Sequence, residues 1–314
     1  MHVPVLLQEV ITALQPQPGG IYVDGTVGAG GHAAAVLEAS APDGQLYGFD
    51  QDHSALEIAA GNLAKFGNRV HLAHANFKHL DQTIRRLNVS PVNGILLDLG
   101  VSSMQFDQPD RGFSFQADGP LDMRMNPTTG QTASDLVNKL PQDELANLIY
   151  KYGEERQSRR IARAIVQARP IYSTQELAAI VAKATWKPGK AGRSKIHPAT
   201  QTFQALRIAV NNELTILEQV LPQALRLLKP KGRLAVISFH SLEDRIVKQF
   251  FRQEAQDCIC PPEQPICTCR HKSTVSIITK KPISPTLAEI DVNPRARSAK
   301  LRVVELKEEK YYVK

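Results

Sequence analysis

The chain is poor in sulfur and in long apolar stretches. Only four of its 314 residues are cysteine, and all four fall between positions 258 and 269. Cysteines confined in this way are not spread as a disulfide framework. The segment Cys258-x-Cys260-Pro-Pro-x-x-Pro-x-Cys267-x-Cys269 also departs from the wider pair spacing of ordinary zinc sites. Reduced thiols without a ligand are therefore expected, and no metal is assigned to the activity; four thiolates on one proline-stiffened loop leave a bound metal as the alternative. The apolar runs are short, and Met1-His-Val-Pro-Val-Leu-Leu-Gln-Glu has no basic region followed by a long hydrophobic block. Neither a membrane-spanning helix nor a secretory signal is therefore expected, and the expected compartment is the cytoplasm. Internal repeats and low-complexity tracts are also lacking.

What is present is a chain long enough for two domains, or for one large domain with an insertion. Hydrophobic residues make up 42% of it, enough for a sizeable core, and its net charge is +7. A positive balance speaks about association, and nucleic acid is the natural polyanionic partner.

The most informative stretch is Tyr22-Val-Asp24-Gly25-Thr-Val-Gly28-Ala-Gly30-Gly31-His32, where an apolar strand becomes a glycine-rich turn and then an Ala-rich helix. Such a turn needs positive φ and a backbone that a ligand can approach, which marks a nucleotide-cofactor loop. Gly28-Ala-Gly30-Gly31-His-Ala33 also fits the relaxed dinucleotide pattern, so the loop alone does not separate NAD from another adenosine cofactor. Asp50 ends the next apolar run, 20 residues after Gly30, where an acid reaches a ribose hydroxyl pair in either class. Asp24 lies inside the turn. There it would repel a pyrophosphate and attract a cationic amino-acid tail such as that of S-adenosylmethionine, although an Asp in such a place also serves simply to brace a turn.

Taken in order, residues 5–14 read as a leading helix, followed by strands ending at Asp24, Asp50, Ala75 and Asp98. Gly94-Ile-Leu-Leu-Asp98 is a continuous apolar run of the buried parallel type. Ligands of open α/β sheets bind beyond the carboxyl ends of the strands, so Asp24, Asp50, Phe77 and Asp98 should converge on one crevice. Residues 107–200 offer no good buried strand, only turns and then helical patterns at 133–140, 142–151, 154–169 and 174–184. One long amphipathic helix, with Phe203, Leu206, Val210, Leu217, Leu221 and Leu225 on one face, leads into a fifth strand, Gly232–Phe239. A helix over 242–254 and two strands, 274–279 and 301–306, complete a seven-stranded α/β sheet whose last pair is antiparallel.

The chain resembles the bacterial RsmH (MraW) type 16S ribosomal RNA cytosine-N4 methyltransferases. The blocks that carry the likeness are His2-Val-Pro-Val-Leu-Leu, Asp24-Gly-Thr-x-Gly-x-Gly-Gly-His32, Gly94-Ile-Leu-Leu-Asp-Leu-Gly-Val-Ser-Ser103, Arg111-Gly-Phe-Ser-Phe115, Gly119-Pro-Leu-Asp-Met-Arg-Met125, Tyr152-Gly-Glu-Glu155, His197-Pro-Ala-Thr200, Ser238-Phe-His-Ser-Leu-Glu-Asp-Arg245 and Asn293-Pro-Arg-Ala-Arg-Ser298. The resemblance implies a Rossmann-like methyltransferase domain formed by 1–105 and 201–314, with a helical insertion at 106–200 that recognises RNA. It implies S-adenosylmethionine as methyl donor and a cytidine in the decoding region of 16S rRNA as acceptor, in free rRNA or in the small ribosomal subunit. Whether the protein forms a homodimer is left open, and no membrane is involved.

The cofactor contacts of the family fall on Gly30, Gly31, His32, Asp50, Phe77, Asp98 and Gln105, to which the electrostatic argument adds Asp24. An exocyclic amine needs an acceptor for its N–H hydrogens. Asp98 or a backbone carbonyl near it is the expected acceptor and His240 a second candidate; the Ser/Asp-Pro-Pro-Tyr tetrad of many DNA amino-methyltransferases is replaced here by Asp98-Leu-Gly-Val, which leaves the choice among them open. A lone His at a strand end more often caps a helix. Three basic clusters are expected to hold RNA: Arg156, Arg160 and Arg163 on one helical face; the five cations and Trp186 between Lys183 and Lys195; and Arg295, Arg297, Lys300 and Arg302. The competing readings are an NAD-dependent oxidoreductase, which leaves Asp24 and Asp98 unexplained, and a non-catalytic RNA-binding protein on the same fold.

Overall fold

The computed structural model describes residues 4–186, 197–264 and 266–308. In chain order the elements are α1 (Leu7–Leu14), β1 (Ile21–Asp24), α2 (Gly31–Ala39), β2 (Gln45–Asp50), α3 (His53–Leu63), β3 (Val70–His74), α4 (Leu80–Arg86), β4 (Val92–Asp98), α5 (Ser103–Asp107), α6 (Ala133–Lys139), α7 (Gln142–Gly153), α8 (Ser158–Ala168), α9 (Thr174–Thr185), α10 (Thr200–Asn211), α11 (Glu213–Leu227), β5 (Leu228–Ser238), α12 (Ser241–Glu254), β6 (Val275–Ile277), α13 (Leu287–Val292) and β7 (Lys300–Leu306). They form two compact units, Met1–Gly100 with Leu214–Lys314, and Val101–Glu213. Among the described residues no helix is long and apolar enough to cross a membrane.

The first unit carries one seven-stranded sheet of order β3-β2-β1-β4-β5-β7-β6. β1 to β5 are parallel, and β7 enters antiparallel between β5 and β6. The two-residue period of a strand sends alternate side chains to opposite faces. Ile95 and Leu97 of β4 accordingly join a core built with α4, α11 and α12, while Leu96 joins the core beneath α1, α2 and α3. Being buried on both faces is what made β4 read as an uninterrupted apolar run. The parallel order reverses on either side of β1 and β4, so the carboxyl ends of these two strands flank the crevice that such a sheet offers to ligands.

The second unit is helical, with Ile149, Ile161, Ile165, Leu177, Val181 and Phe203 among the buried residues of its core. Its borders correct the expected domain limits: the unit begins at Val101 and runs to Glu213, beyond the anticipated 106–200. The cause lies in the helix foreseen across 203–225, which is two helices. Asn212 adopts φ 53° and breaks it. Asn tolerates this left-handed conformation better than most residues. Phe203 and Leu206 therefore pack in the helical core, whereas Leu217, Leu221 and Leu225 pack under the sheet. A second correction concerns α8, which begins at Ser158 rather than 154 because Glu154 takes a left-handed turn at the end of α7.

Candidate active site

The glycine loop leaves β1 and is tied to two neighbouring strands, β4 and β2, by its own backbone. Gly25 N–H donates to the Leu96 carbonyl of β4 at 3.0 Å and Val27 N–H to that of Phe49 in β2 at 2.9 Å. Gly28 N–H donates to Asp50 Oδ2 at 2.9 Å, so the β2 carboxylate clamps the loop tip. Two glycines are required on separate grounds. Gly30 stands at φ +86° as the N-cap of α2, and a Cβ on Gly25 would come within 2.6 Å of Leu97 Cδ2 and 3.4 Å of Phe77 Cβ. Among the described residues no side chain caps the first turn of α2. Its amides at Gly31, His32 and Ala33 form the kind of helix N-terminus that receives a carboxylate.

Three acids meet at the strand ends, with Glu243 of α12 behind one of them. Asp24 is 2% exposed, and its Oδ1 accepts from Thr26 N–H at 3.0 Å and from Thr26 Oγ1 at 3.3 Å. The same Thr26 hydroxyl oxygen accepts from Asp98 N–H at 2.7 Å, which joins β1 to β4 through one side chain. Burial raises the Asp24 carboxyl to about 7, against the lowering effect of the Thr26 bonds and with Asp50 adding repulsion. Burial likewise raises Asp50, although the Asp52 and Gly28 amides offset part of the effect. Asp98 is pushed well above the usual carboxylate range by burial first, then by the charges of Asp24 and Glu243. Its Oδ1 is buried and has no hydrogen-bond partner among the described residues.

His32 is buried at the start of α2. Its Nε2 donates to the Val5 carbonyl at 2.9 Å, leaving Nδ1 facing Asp98 Oδ2 at 3.7 Å. Phe77 follows β3 in a single turn of 3₁₀ helix, half-buried against the sheet core. Asp24, Gly30, Gly31, His32, Asp50, Phe77 and Asp98 thus all lie in the sheet unit, around the ends of β1, β2, β3 and β4. Gln105 lies in the helical unit, buried on α5. There its side chain accepts from Ser102 N–H at 3.1 Å while its amide donates to Ser102 Oγ at 3.3 Å, a reciprocal cap.

His240 caps a helix. Its Nδ1 accepts from Glu243 N–H at 3.4 Å at the start of α12, and its Nε2 stands 3.2 Å from Glu243 Oε1. Glu243 is 2% exposed and accepts from Phe239 N–H at 2.8 Å. Two functional contributors went unnoticed in the sequence. Thr26 bridges Asp24 and Asp98, and Glu243 adds charge behind Asp98. The second carried a legible signal, because His240-x-x-Glu243 has the capping-box spacing.

The basic clusters separate on inspection. Arg160 and Arg163 are exposed on α8, where Arg163 joins Gln142, Asp143 and Arg159 around a cleft of about 400 Å³. Arg156 precedes the helix, which corrects the expectation that all three share one helical face. The 187–196 part of the second cluster lies outside the described residues. Arg302 does not belong in the third: it is buried, donating to Asp244 at 2.7 and 3.2 Å, and Lys300 Nζ lies 3.5 Å from the same carboxylate. Arg295 and Arg297 remain exposed.

The site therefore combines an amide-lined loop, an aromatic edge and a concentration of buried acids that a cation would relieve. That combination fits a sulfonium-bearing amino-acid cofactor better than a pyrophosphate. The chain is 56% identical over 306 residues to ribosomal RNA small subunit methyltransferase H of Syntrophotalea carbinolica, covering 96% of this chain and 97% of that one. It is 51% identical over 308 residues to the protein of the same name from Heliobacterium mobile, covering 97% and 98%. The family described as the MraW methylase family matches residues 1–307, and with the loop, the acids and the strand order on the same 307 residues, the chain belongs to that family.

Proposed function

We propose that this methyltransferase moves the methyl group of S-adenosylmethionine to the exocyclic N4 amine of a cytidine in the decoding region of 16S rRNA. The observation that carries the chemistry is the Oδ1 of Asp98 at the end of β4, buried and without a hydrogen-bond partner among the described residues. A cytosine amine is a poor nucleophile because its lone pair is delocalised into the ring. An oxygen that accepts its N–H localises density on nitrogen and receives the proton as the N–C bond forms and the S–C bond breaks. Bound here, S-adenosylmethionine supplies the electrophilic methyl on a cationic sulfur. This chain's residues bind and orient: the α2 amides take the carboxylate of the amino-acid tail, Asp24 its ammonium, Asp50 the ribose hydroxyls and Phe77 the adenine face.

Burial first, and then the charges of Asp24 and Glu243, favour the neutral carboxyl of Asp98, and a cation bound beside it favours the ionised form that accepts the proton. His240, committed to the α12 cap, positions the β5 end instead of handling the proton. The ribosomal substrate is supported by the names of the relatives, and the cytosine N4 by the motif blocks shared with the family. Selection of the RNA is assigned to the helical unit and the exposed arginines, Arg160, Arg163, Arg295 and Arg297, and the target base leaves its stack to reach the site. The substrate is 16S rRNA, with the small subunit as its assembled form. Mass spectrometry of rRNA from cells with and without the protein tests the reading: N4-methylcytidine should disappear without it, and an unchanged content would overturn the assignment.

A further inference from the structure

Among its described residues, the connection from α12 to β6, 255–274, has no regular element and little to hold it by apolar burial. Its two isoleucines are exposed, Ile259 at 41% and Ile266 at 74%. A long loop of this kind needs another source of order. It has one in its cysteines. The sulfurs of Cys258, Cys260, Cys267 and Cys269 all lie within 4.8 Å of one another. Cys258 Sγ is 3.4 Å from Cys267 Sγ and 3.8 Å from Cys269 Sγ, and Cys267 Sγ is 3.6 Å from Cys269 Sγ.

Disulfide sulfurs stand at about 2.05 Å. Four thiolates bound at about 2.3 Å to a tetrahedral ion lie about 3.8 Å apart, the edge length that these distances approach. The two short Cys-x-Cys pairs thus converge from opposite ends of the loop, which the pair spacing alone did not suggest.

The backbone supports the same reading. Ile259 and His271 N–H point at Cys269 Sγ at 3.4 and 3.5 Å, Cys260 N–H at Cys258 Sγ at 3.4 Å, and Thr268 N–H at Cys260 Sγ at 3.4 Å. Amides turned onto sulfur stabilise the anionic form, and such second-layer bonds accompany thiolate ligands. Anionic sulfurs this close repel one another unless a cation sits among them. The loop is anchored beside the cluster, where His271 Nε2 donates to the Gln253 carbonyl of α12 at 3.0 Å and Thr274 N–H to that of Glu254 at 2.8 Å.

We propose that Cys258, Cys260, Cys267 and Cys269 form a structural site for one zinc ion. Four protein thiolates leave no open position, so the ion folds and fastens the loop and takes no part in methyl transfer. Binding removes the thiol protons, and loop order is coupled to occupancy. The test uses the full chain, purified in reducing buffer without chelator. Elemental analysis should find about one zinc per chain, falling to about zero in the Cys258→Ser/Cys269→Ser variant.

In case that variant folds poorly, cobalt(II) is exchanged into the wild-type protein, where it should give the intense visible bands of a tetrahedral tetrathiolate. Stripping the metal from the wild-type chain should accelerate amide exchange across 258–271 by about tenfold or more. Less than about half an equivalent of metal, an octahedral cobalt spectrum, or an intact mass short by two hydrogens per disulfide would overturn the site. Iron with acid-labile sulfide in place of zinc would overturn the assigned ion.

Discussion

Replacing Asp24 with Asn tests the electrostatic account of the site most directly. The buried carboxyl titrates at about 7 instead of 3.8. At about 1.4 kcal/mol per unit, ionising it in the folded protein costs at most about 4 kcal/mol. The sign follows from linkage, because the folded state holds this proton more tightly than the unfolded chain does. The cost is absent below pH 4, grows between pH 4 and about 7, and is complete above that, so the cofactor-free protein loses stability as pH rises through this window.

Asn retains an oxygen for Thr26 N–H and carries no charge. At pH 8 the variant should therefore be the more stable protein, by up to about 4 kcal/mol, or roughly 8–16 °C in melting temperature for a unit of this size. Its stability should also be flatter between pH 4 and 7. Binding of the cationic cofactor should show the reverse preference: wild-type affinity rises with pH through about 7 with release of a proton, and the variant binds at least about tenfold more weakly without that release. Thermal melts from pH 4 to 9 and calorimetry in buffers of different ionisation enthalpy provide both readouts. A variant whose melting temperature falls with pH as steeply as the wild type's would refute the reasoning.

Asp98→Asn should lower methyl transfer by about 10²–10⁴, the usual scale of a lost proton acceptor, and turnover within tenfold of wild type would remove Asp98 from the catalytic role. His240→Ala should cost about 1 kcal/mol of stability through the lost α12 cap, with His240→Asn restoring it and the pH profile of turnover unchanged; a displaced pH optimum would show that the ring handles a proton. Arg160→Glu combined with Arg163→Glu should weaken binding of rRNA fragments and flatten its dependence on salt, and filter binding across a salt series reads both. Arg302→Met should destabilise the sheet unit by up to about 3 kcal/mol in denaturant unfolding, because the buried Asp244 loses both guanidinium bonds and keeps only Lys300 at 3.5 Å, yet leave the salt slope of RNA binding intact.

Much of the fold was legible because local patterns and the final packing agree. β4 reads as a buried parallel strand since both its faces are covered, and α6, α7 and α9 declare themselves by their apolar spacing. The glycine turn was equally readable, as its backbone demands a residue type directly. What stayed hidden were pairings made across the chain. Nothing near Arg302 announces that Asp244, 58 residues away, draws it out of the basic surface. Asn212 looks like any polar residue of a helical face until its left-handed turn sends α10 and α11 to different cores.

By itself, then, the sequence determined the strand-turn-helix at residues 24–32, the acids at strand ends and the family to which these blocks belong, because each depends on neighbours in the chain. Only the tertiary structure decided that Thr26 links two of those acids, that Asp98 keeps a buried oxygen without a partner among the described residues, that His240 caps a helix, and that four cysteines meet. Burial and approach across tens of residues are properties of packing, and it is packing that turns an ordinary carboxylate or thiol into a reactive or metal-binding one.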